Sequence, residues 1–593
     1  MNKKNKINIF MILVAFLVIG FFSEAFCGDS GFPGNRSRDD FGPDLVIING
    51  NIITVDPGHP RAEALAVYRD KIAAVGLNSD IKKFVDKNTQ VIDAKGKTVT
   101  PGFIESHMHP SPLYPFENRM HIVNLFDITS MQDLINSLRA KANITPIGEW
   151  VRGERYQDTK IGGHPTRFEL DQVSTSHPIS ISHSSGHISV VNSYVLEAAD
   201  CDSPSTPDPP NPPGGEFGRL SDGTPNGILY EGARSYLMSL PGVPPLPVAS
   251  EEDEKVGLYT RFQTFIQKGF TSIADASTSN VKLSRYQSML EEGTLPLRIN
   301  MLYYYGDGSN ADVLNAFVRI GMKSGFGNDR LRLGTLKVFA GNSLSGRTCW
   351  LYDPYEGSHS GDNPPYYGIQ HPLLMGVPPK INKIILDGHK AGFQWAVHSN
   401  GDREIDMLLD AYEEALAQYP RIDHRHRIEH ASVMGKDLTI LRRAKELGVI
   451  LNFHPYLYEH GDKMTDYGPE RWAYLMPFRS AIDLGIPVAA HSDFSVSAAN
   501  PMLRIYDMVT RKSKEGIVYG PGQRVTPEEA IFVWTMGNAY ASFEEQIKGS
   551  IEVGKLADIV ILSADPTAVN ADAIKDIQVE MTIIGGGVAY KMN

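Results

Sequence analysis

Two histidines stand one residue apart in PGFIESHMHP (101–110), His107 and His109. At that spacing on an extended strand both imidazoles share one face, and a pair of neutral imidazoles can ligate a divalent cation. The spacing alone decides nothing. The chain holds 18 histidines, and IDHRHRIEH contains a second such pair, His424 and His426. What gives the first pair weight is company: Lys337 in LGTLKVFA, His398 in FQWAVHS, His430 in HRIEHA and Asp493 in IPVAAHSD. Imidazoles with a carboxylate suit Zn²⁺, with Fe²⁺ and Mn²⁺ as alternatives, and zinc is the default for hydrolysis. Lysine is the odd member, because an ammonium is repelled by a cation. Lys337 is therefore neutral or modified, as a CO₂-derived carbamate bridging two metals, or it points elsewhere.

These residues need a scaffold that gathers them. Eight candidate parallel strands recur, most followed by helical pattern: 102–109, 270–276, 297–305, 333–340, 393–399, 426–431, 448–454 and 486–493. Helices are plain in EIDMLLDAYEEALAQ and KDLTILRRAKELG, with apolar residues at helical spacing and charges opposite. Eight strand–helix units predict an α/β fold, a (β/α)8 barrel over 101–547 whose active site lies at the C-terminal strand ends. His107, His109, Lys337, His398, His430 and Asp493 all fall at or near such ends. His424 and His426 fall before or at the start of theirs, the wrong end for chemistry.

Both chain ends are β-rich. DLVIINGNIITVD and ALAVYRDKIAAVG each read as two strands around a turn, and GKLADIVILSADP and VEMTIIGGGVAYKM have the same texture. Residues 44–100 and 548–593 are expected to form one small composite β-sandwich. Residues 110–250 are an insertion after the first barrel strand, read as a lid or subdomain, and 353–379 is a second insertion. The start, MNKKNKINIFMILVAFLVIGFFSEAFC, has a basic head, an apolar stretch and small residues before Gly28. It predicts a signal peptide over 1–27 and an exported protein, with an uncleaved anchor as the rival reading. Residues 28–43 have linker composition. Only Cys201 and Cys349 lie beyond the leader, so there is no disulfide framework, although export permits one bridge.

The net charge of −12 and the lack of a dense basic run exclude a nucleic-acid footprint. The expected partner is a small-molecule substrate, with no stable membrane insertion after leader removal and a homodimer left open.

In order along residues 44–591, the motifs PGFIESHMHP, PTRFELDQV, SSGHISVVNS, PPGGEFGRLSDGTPNGIL, LKVFAGNSLSGRT, HSNGDREID, RIEHA, HSDFSV, VTPEEAI and GSIEVGKLADIVIL resemble those of the amidohydrolase superfamily. The subgroup is the one that includes YtcJ-like hydrolases and N-substituted formamide deformylase. The resemblance implies a barrel with a composite β-sandwich. It implies metal ligands at His107, His109, a carboxylated Lys337, His398 and His430, with Asp493 as ligand and general acid/base. It also matches His187 to a histidine that can hydrogen-bond the substrate carbonyl; His183, His454 and Arg347 are further substrate-binding candidates. Two departures stand out: Gly341-Asn342 where relatives usually have Asp-Gly, and His491-Ser492-Asp493 where Gly-Ser-Asp is common.

The expected reaction is metal-assisted hydrolysis of a non-peptide amide or related C–N bond, such as an N-acyl or N-formyl amine. Alternatives are a ring-amine deaminase, an ester or lactone hydrolase, and an inactive exported binding or regulatory protein on the same scaffold.

Overall fold

The computed structural model describes residues 42–201, 210–306 and 311–592. The expected leader and all but the last two residues of the expected linker lie outside the described residues. Among the described residues, no helix is long and apolar enough to cross a membrane.

Eight parallel strands form the central sheet: β1 (Phe103–Met108), β2 (Phe270–Thr278), β3 (Arg298–Tyr304), β4 (Leu331–Phe339), β5 (Trp395–Ser399), β6 (Arg427–His430), β7 (Ile450–Phe453) and β8 (Val488–Ala490). Each pairs with the next in chain order. Every residue of β1, β5, β6, β7 and β8 is buried, as strands wrapped by helices require. The helix Asp402–Gln418 shows why the wrapping holds: Ile405, Leu408, Leu409, Tyr412 and Ala415 form one buried stripe.

The seam between β8 and β1 lacks a backbone ladder. Side chains bridge it instead, among them Ser106, whose Oγ donates to Ala490 O at 2.8 Å. Asn538 Nδ2 donates to Ile104 O (2.6 Å) and Ala490 O (2.8 Å), while its Oδ1 accepts from Ala490 N (2.9 Å). Just beyond the strand ends, His109 N donates to Phe494 O at 2.5 Å and Asp493 N to His107 O at 3.2 Å. These bonds place Asp493 beside the first histidine pair.

At the opposite end of the barrel lie two sheets built from both chain ends. In one, Thr98–Pro101 pairs antiparallel with Ile559–Leu562 and parallel with Asn51–Ile53. In the other, Leu45–Ile48 pairs with Ala64–Tyr68. Between them lies an apolar core that includes Ile47, Ile52, Leu65, Val99, Ile559 and Ile583. The Arg298 guanidinium, at the start of β3, grips Asp558 through two bonds of 2.8 and 3.0 Å and ties this layer to the barrel.

One local expectation is corrected. The Asn49-Gly50 turn does not close a hairpin; Leu45–Ile48 and Asn51–Ile53 lie in different sheets. Both segments are apolar enough to feed a core on either side of the bend, so the turn carries the chain across the sandwich. Arg69-Asp70, by contrast, does join an antiparallel pair.

Residues 110–250 contain a separate six-stranded sheet, in the order Gly215–Arg219, Pro225–Glu231, Ile188–Val191, Ile179–His183, Val151–Tyr156, Val123–Asn124. It has its own core, including Leu134, Leu138, Ile179, Ile181 and Val190.

Candidate metal centre

The histidines of β1 and the carboxylate after β8 meet at the mouth. Asp493 Oδ1 lies 3.4 Å from His107 Nε2 and 3.2 Å from His109 Nε2. Its other oxygen faces His430 Nδ1 and His454 Nδ1, each at 4.0 Å. Burial alone would raise the pKa of this carboxyl, but the facing rings of His107, His109 and His430 outweigh it and hold the group well below its ordinary range. The backbone is forced here. His430, Ala431 and Asp493 have φ of 73°, 45° and 51°, left-handed values that non-glycine residues rarely adopt.

Partners behind the rings fix their direction. His107 Nδ1 contacts Glu429 Oε2 at 2.5 Å, and Glu429 in turn accepts from Arg427 and from Asn452 Nδ2. That arrangement turns His107 Nε2 toward Asp493 and makes the ring more basic as a ligand. His109 Nδ1 is held by Ser277 Oγ at 3.0 Å. Lys337 Nζ is 3.5 Å from His107 Nε2 and 4.4 Å over the Phe339 ring. Burial lowers its pKa to about 8, against the pull of Glu429 and Asp493. The neutral amine is the form that can add CO₂.

The donor set fits a divalent cation. Among the described residues, three groups have one ligand atom per residue within 4.8 Å of one another: His107, His109 and Asp493; His107, His430 and His491; His430, His454 and Asp493. His430 Nε2, Asp493 Oδ1 and both ring nitrogens of His491 are buried without a hydrogen-bond partner. Leaving such atoms unpaired costs about 1–3 kcal/mol each, and a bound cation removes that cost where it is ligated.

Other sequence-predicted residues fall differently. His398 reaches the cluster, with its ring 4.3 Å from that of His430, but its Nε2 donates to Asn342 O at 3.1 Å. That contact, and one of 3.1 Å to Asn400 Nδ2, engage Nε2 and leave Nδ1 as the ring's ligand-type nitrogen. His187 stands 5.1 Å from the His398 ring, and its Nδ1 is held by Glu231 Oε2 at 2.7 Å. His183 and Arg347 do not join the mouth as free groups. His183 bonds Asp158 and Ser185, and Arg347 bonds Asp158 and Asp466, so both are spent in a clasp between the insertion and the barrel loops. Cys201 and Cys349 are both buried and not disulfide-bonded to each other, and Cys349 Sγ lies 3.1 Å from Tyr355 Oη.

His491 and Glu231 escaped the sequence reading as site residues. For His491 a signal existed: it stands two before Asp493, so strand alternation puts both on one face. For Glu231 there was none, since its contact with His187 depends on strand pairing within the insertion.

A family model described as "Amidohydrolase family" matches residues 90–590. The chain belongs to the amidohydrolase family. Among its relatives, the N-substituted formamide deformylase of Arthrobacter pascens is 27% identical over 92% of this chain and 98% of its own. The putative amidohydrolase YtcJ of Bacillus subtilis (strain 168) is 26% identical over 91% of this chain and 98% of its own. An uncharacterized metal-dependent hydrolase from Pyrococcus horikoshii OT3 shares the fold, with a TM-score of 0.66 at 24% identity over 89% of this chain and 99% of that one. In this amidohydrolase, His107, His109, His430 and Asp493 stand together at the barrel mouth.

Proposed function

We propose that this amidohydrolase hydrolyses a non-peptide amide or related C–N bond of a small molecule, with N-acyl and N-formyl amines as the first substrates to try. The observation that carries the reading is the Asp493 carboxylate, one oxygen unpartnered, set among four histidines at the mouth of the barrel. The near full-length similarity to a formamide deformylase supports the substrate class.

His107, His109, His430 and Asp493 would hold the cation, with Lys337 as its carbamate and His398 through Nδ1, the nitrogen that Asn342 leaves open. Bound there, Zn²⁺, Fe²⁺ or Mn²⁺ polarises the scissile carbonyl and brings the pKa of water toward about 7. Asp493 takes the proton of the attacking water and passes it to the departing nitrogen, which leaves poorly unless protonated. Glu231 accepts from His187 Nδ1 and fixes the ring; a hydrogen bond from Nε2 to the substrate carbonyl oxygen requires both ring nitrogens to carry protons. Glu429 keeps His107 aligned through the cycle.

The test is elemental analysis of purified protein together with a screen of N-acyl and N-formyl amines. At least one equivalent of transition metal and metal-dependent release of a free amine are expected. Metal-free protein, or turnover confined to esters or ring amines, would overturn the reading. The apolar N-terminal stretch supports action after export, and N-terminal sequencing of native protein should then return Gly28.

A further inference from the structure

We infer that His454 and His491 are metal ligands of this chain, completing with His430 and Asp493 a cation position on the β6–β8 side of the mouth; the inference rests on the metal-dependent reading above.

His491 carries the case. It is fully buried, and neither ring nitrogen has a partner. A neutral imidazole has one donor and one acceptor, so a buried ring with both unmet is costly unless something else binds it. Its neighbours are themselves ligand types. Its ring is 4.7 Å from His107, 4.8 Å from His430 and 4.8 Å from His454. Packing three imidazoles around an unbonded fourth has no purpose in a dry core, where an aliphatic side chain fills the space without polar atoms.

His454 supplies the second, independent observation. Its Nε2 is held by Ser497 Oγ at 3.1 Å, and its Nδ1 faces Asp493 Oδ2 at 4.0 Å. One nitrogen fixed by a hydrogen bond and the other aimed at a carboxylate is how a ligating histidine is prepared. His430, His454 and Asp493 form one compact donor group, and His107, His430 and His491 form another that shares His430 with it. On the β5 side, His398 has Nε2 engaged by Asn342 O, so only its Nδ1 remains to serve a cation there. Three imidazoles and a carboxylate oxygen suit Zn²⁺, Co²⁺ or Fe²⁺, and the single negative charge offsets part of the cation's.

The position is read by titrating metal-stripped protein with Co²⁺, following its visible absorption and the bound stoichiometry. His454→Gln and His491→Asn should each weaken one equivalent by at least about tenfold and change the visible bands, since removing a ligand costs no less than disturbing the group behind it. His109→Ala should weaken a different equivalent and leave the bands assigned to the first. If both variants keep wild-type affinity, stoichiometry and spectrum while His109→Ala loses metal, the inference falls and the metal-dependent reading stands. If wild-type protein takes up no metal, both fall. Should His491→Asn fail to fold, His454→Gln, which keeps a polar side chain beside Ser497, decides alone by the same readout.

Discussion

The barrel contains two clusters of buried histidines, one at each end, and they are bonded in opposite ways. At the base, His389 Nε2 donates to Tyr419 O at 2.6 Å, and His426 Nε2 donates to His389 Nδ1 at 2.8 Å. His426 Nδ1 accepts from Trp395 N at 3.0 Å, while His424 bonds Leu447 O and the amide of His426. Every ring nitrogen there is satisfied by the protein, and the His426 ring stacks on Tyr412. At the mouth, His430 Nε2, both nitrogens of His491 and Asp493 Oδ1 have no such partner. Residue type and spacing are alike in the two places. The difference is hydrogen-bond closure: a cluster that satisfies itself is structure, and one that leaves donors and acceptors open awaits a ligand.

The largest expected effect strikes the mouth. Asp493→Asn should lower kcat by about 10³-fold, the middle of the range for removing a general acid/base, with the thermal midpoint nearly unchanged. A variant that keeps full turnover would erase the distinction. His426→Ala should do the reverse, costing about 2–4 kcal/mol of stability in denaturant unfolding, because it opens a cavity and leaves Trp395 N and His389 unpaired. Its kcat per folded molecule should stay within about twofold, since the base cluster touches no substrate. A large loss of kcat in folded His426→Ala would break the comparison from the other side.

Metal separates the clusters next. Chelation should lower the melting temperature, and metal restored at a hundredfold over its Kd should recover about 2.7 kcal/mol. That gain should vanish when His107 is replaced by alanine and survive His426→Ala.

The base cluster also predicts a pH dependence. Burial holds the His426 ring well below its ordinary 6.5. The unfolded chain then binds more protons than the folded one as pH drops below 6.5, so stability falls with pH by up to about 1.4 kcal/mol per unit for each such ring. His426→Gln should remove one ring's share of that slope, seen in unfolding at pH 7 and pH 5. An unchanged slope would mean the ring is charged when folded.

The smallest effect lies just outside the metal centre. Glu231→Gln should lower kcat/KM about tenfold by loosening His187, with metal content intact. Loss of metal in that variant would place Glu231 among the supports of the metal instead.

Much of this was legible in the residues. Alternating buried runs bounded by amphipathic helices identified all eight barrel strands, because strand and helix periods are local properties of the chain. The strand ends then pointed to His107, His109, His430 and Asp493, which the fold brings to one mouth. Other features were not legible. Asn49-Gly50 has hairpin chemistry, yet the chain passes between sheets there because apolar surface lies on both sides. His183 and Arg347 look like site residues in their motifs, yet Asp158, far away in sequence, claims both.

By itself, then, the sequence determined the elements, their order and the supply of ligand-type side chains, because period, turn chemistry and residue type need only near neighbours. Only the tertiary structure decided which histidines remain open. Closure depends on what the fold brings to each nitrogen: the Asn342 carbonyl for His398, Trp395 N for His426, and nothing from the protein for His491.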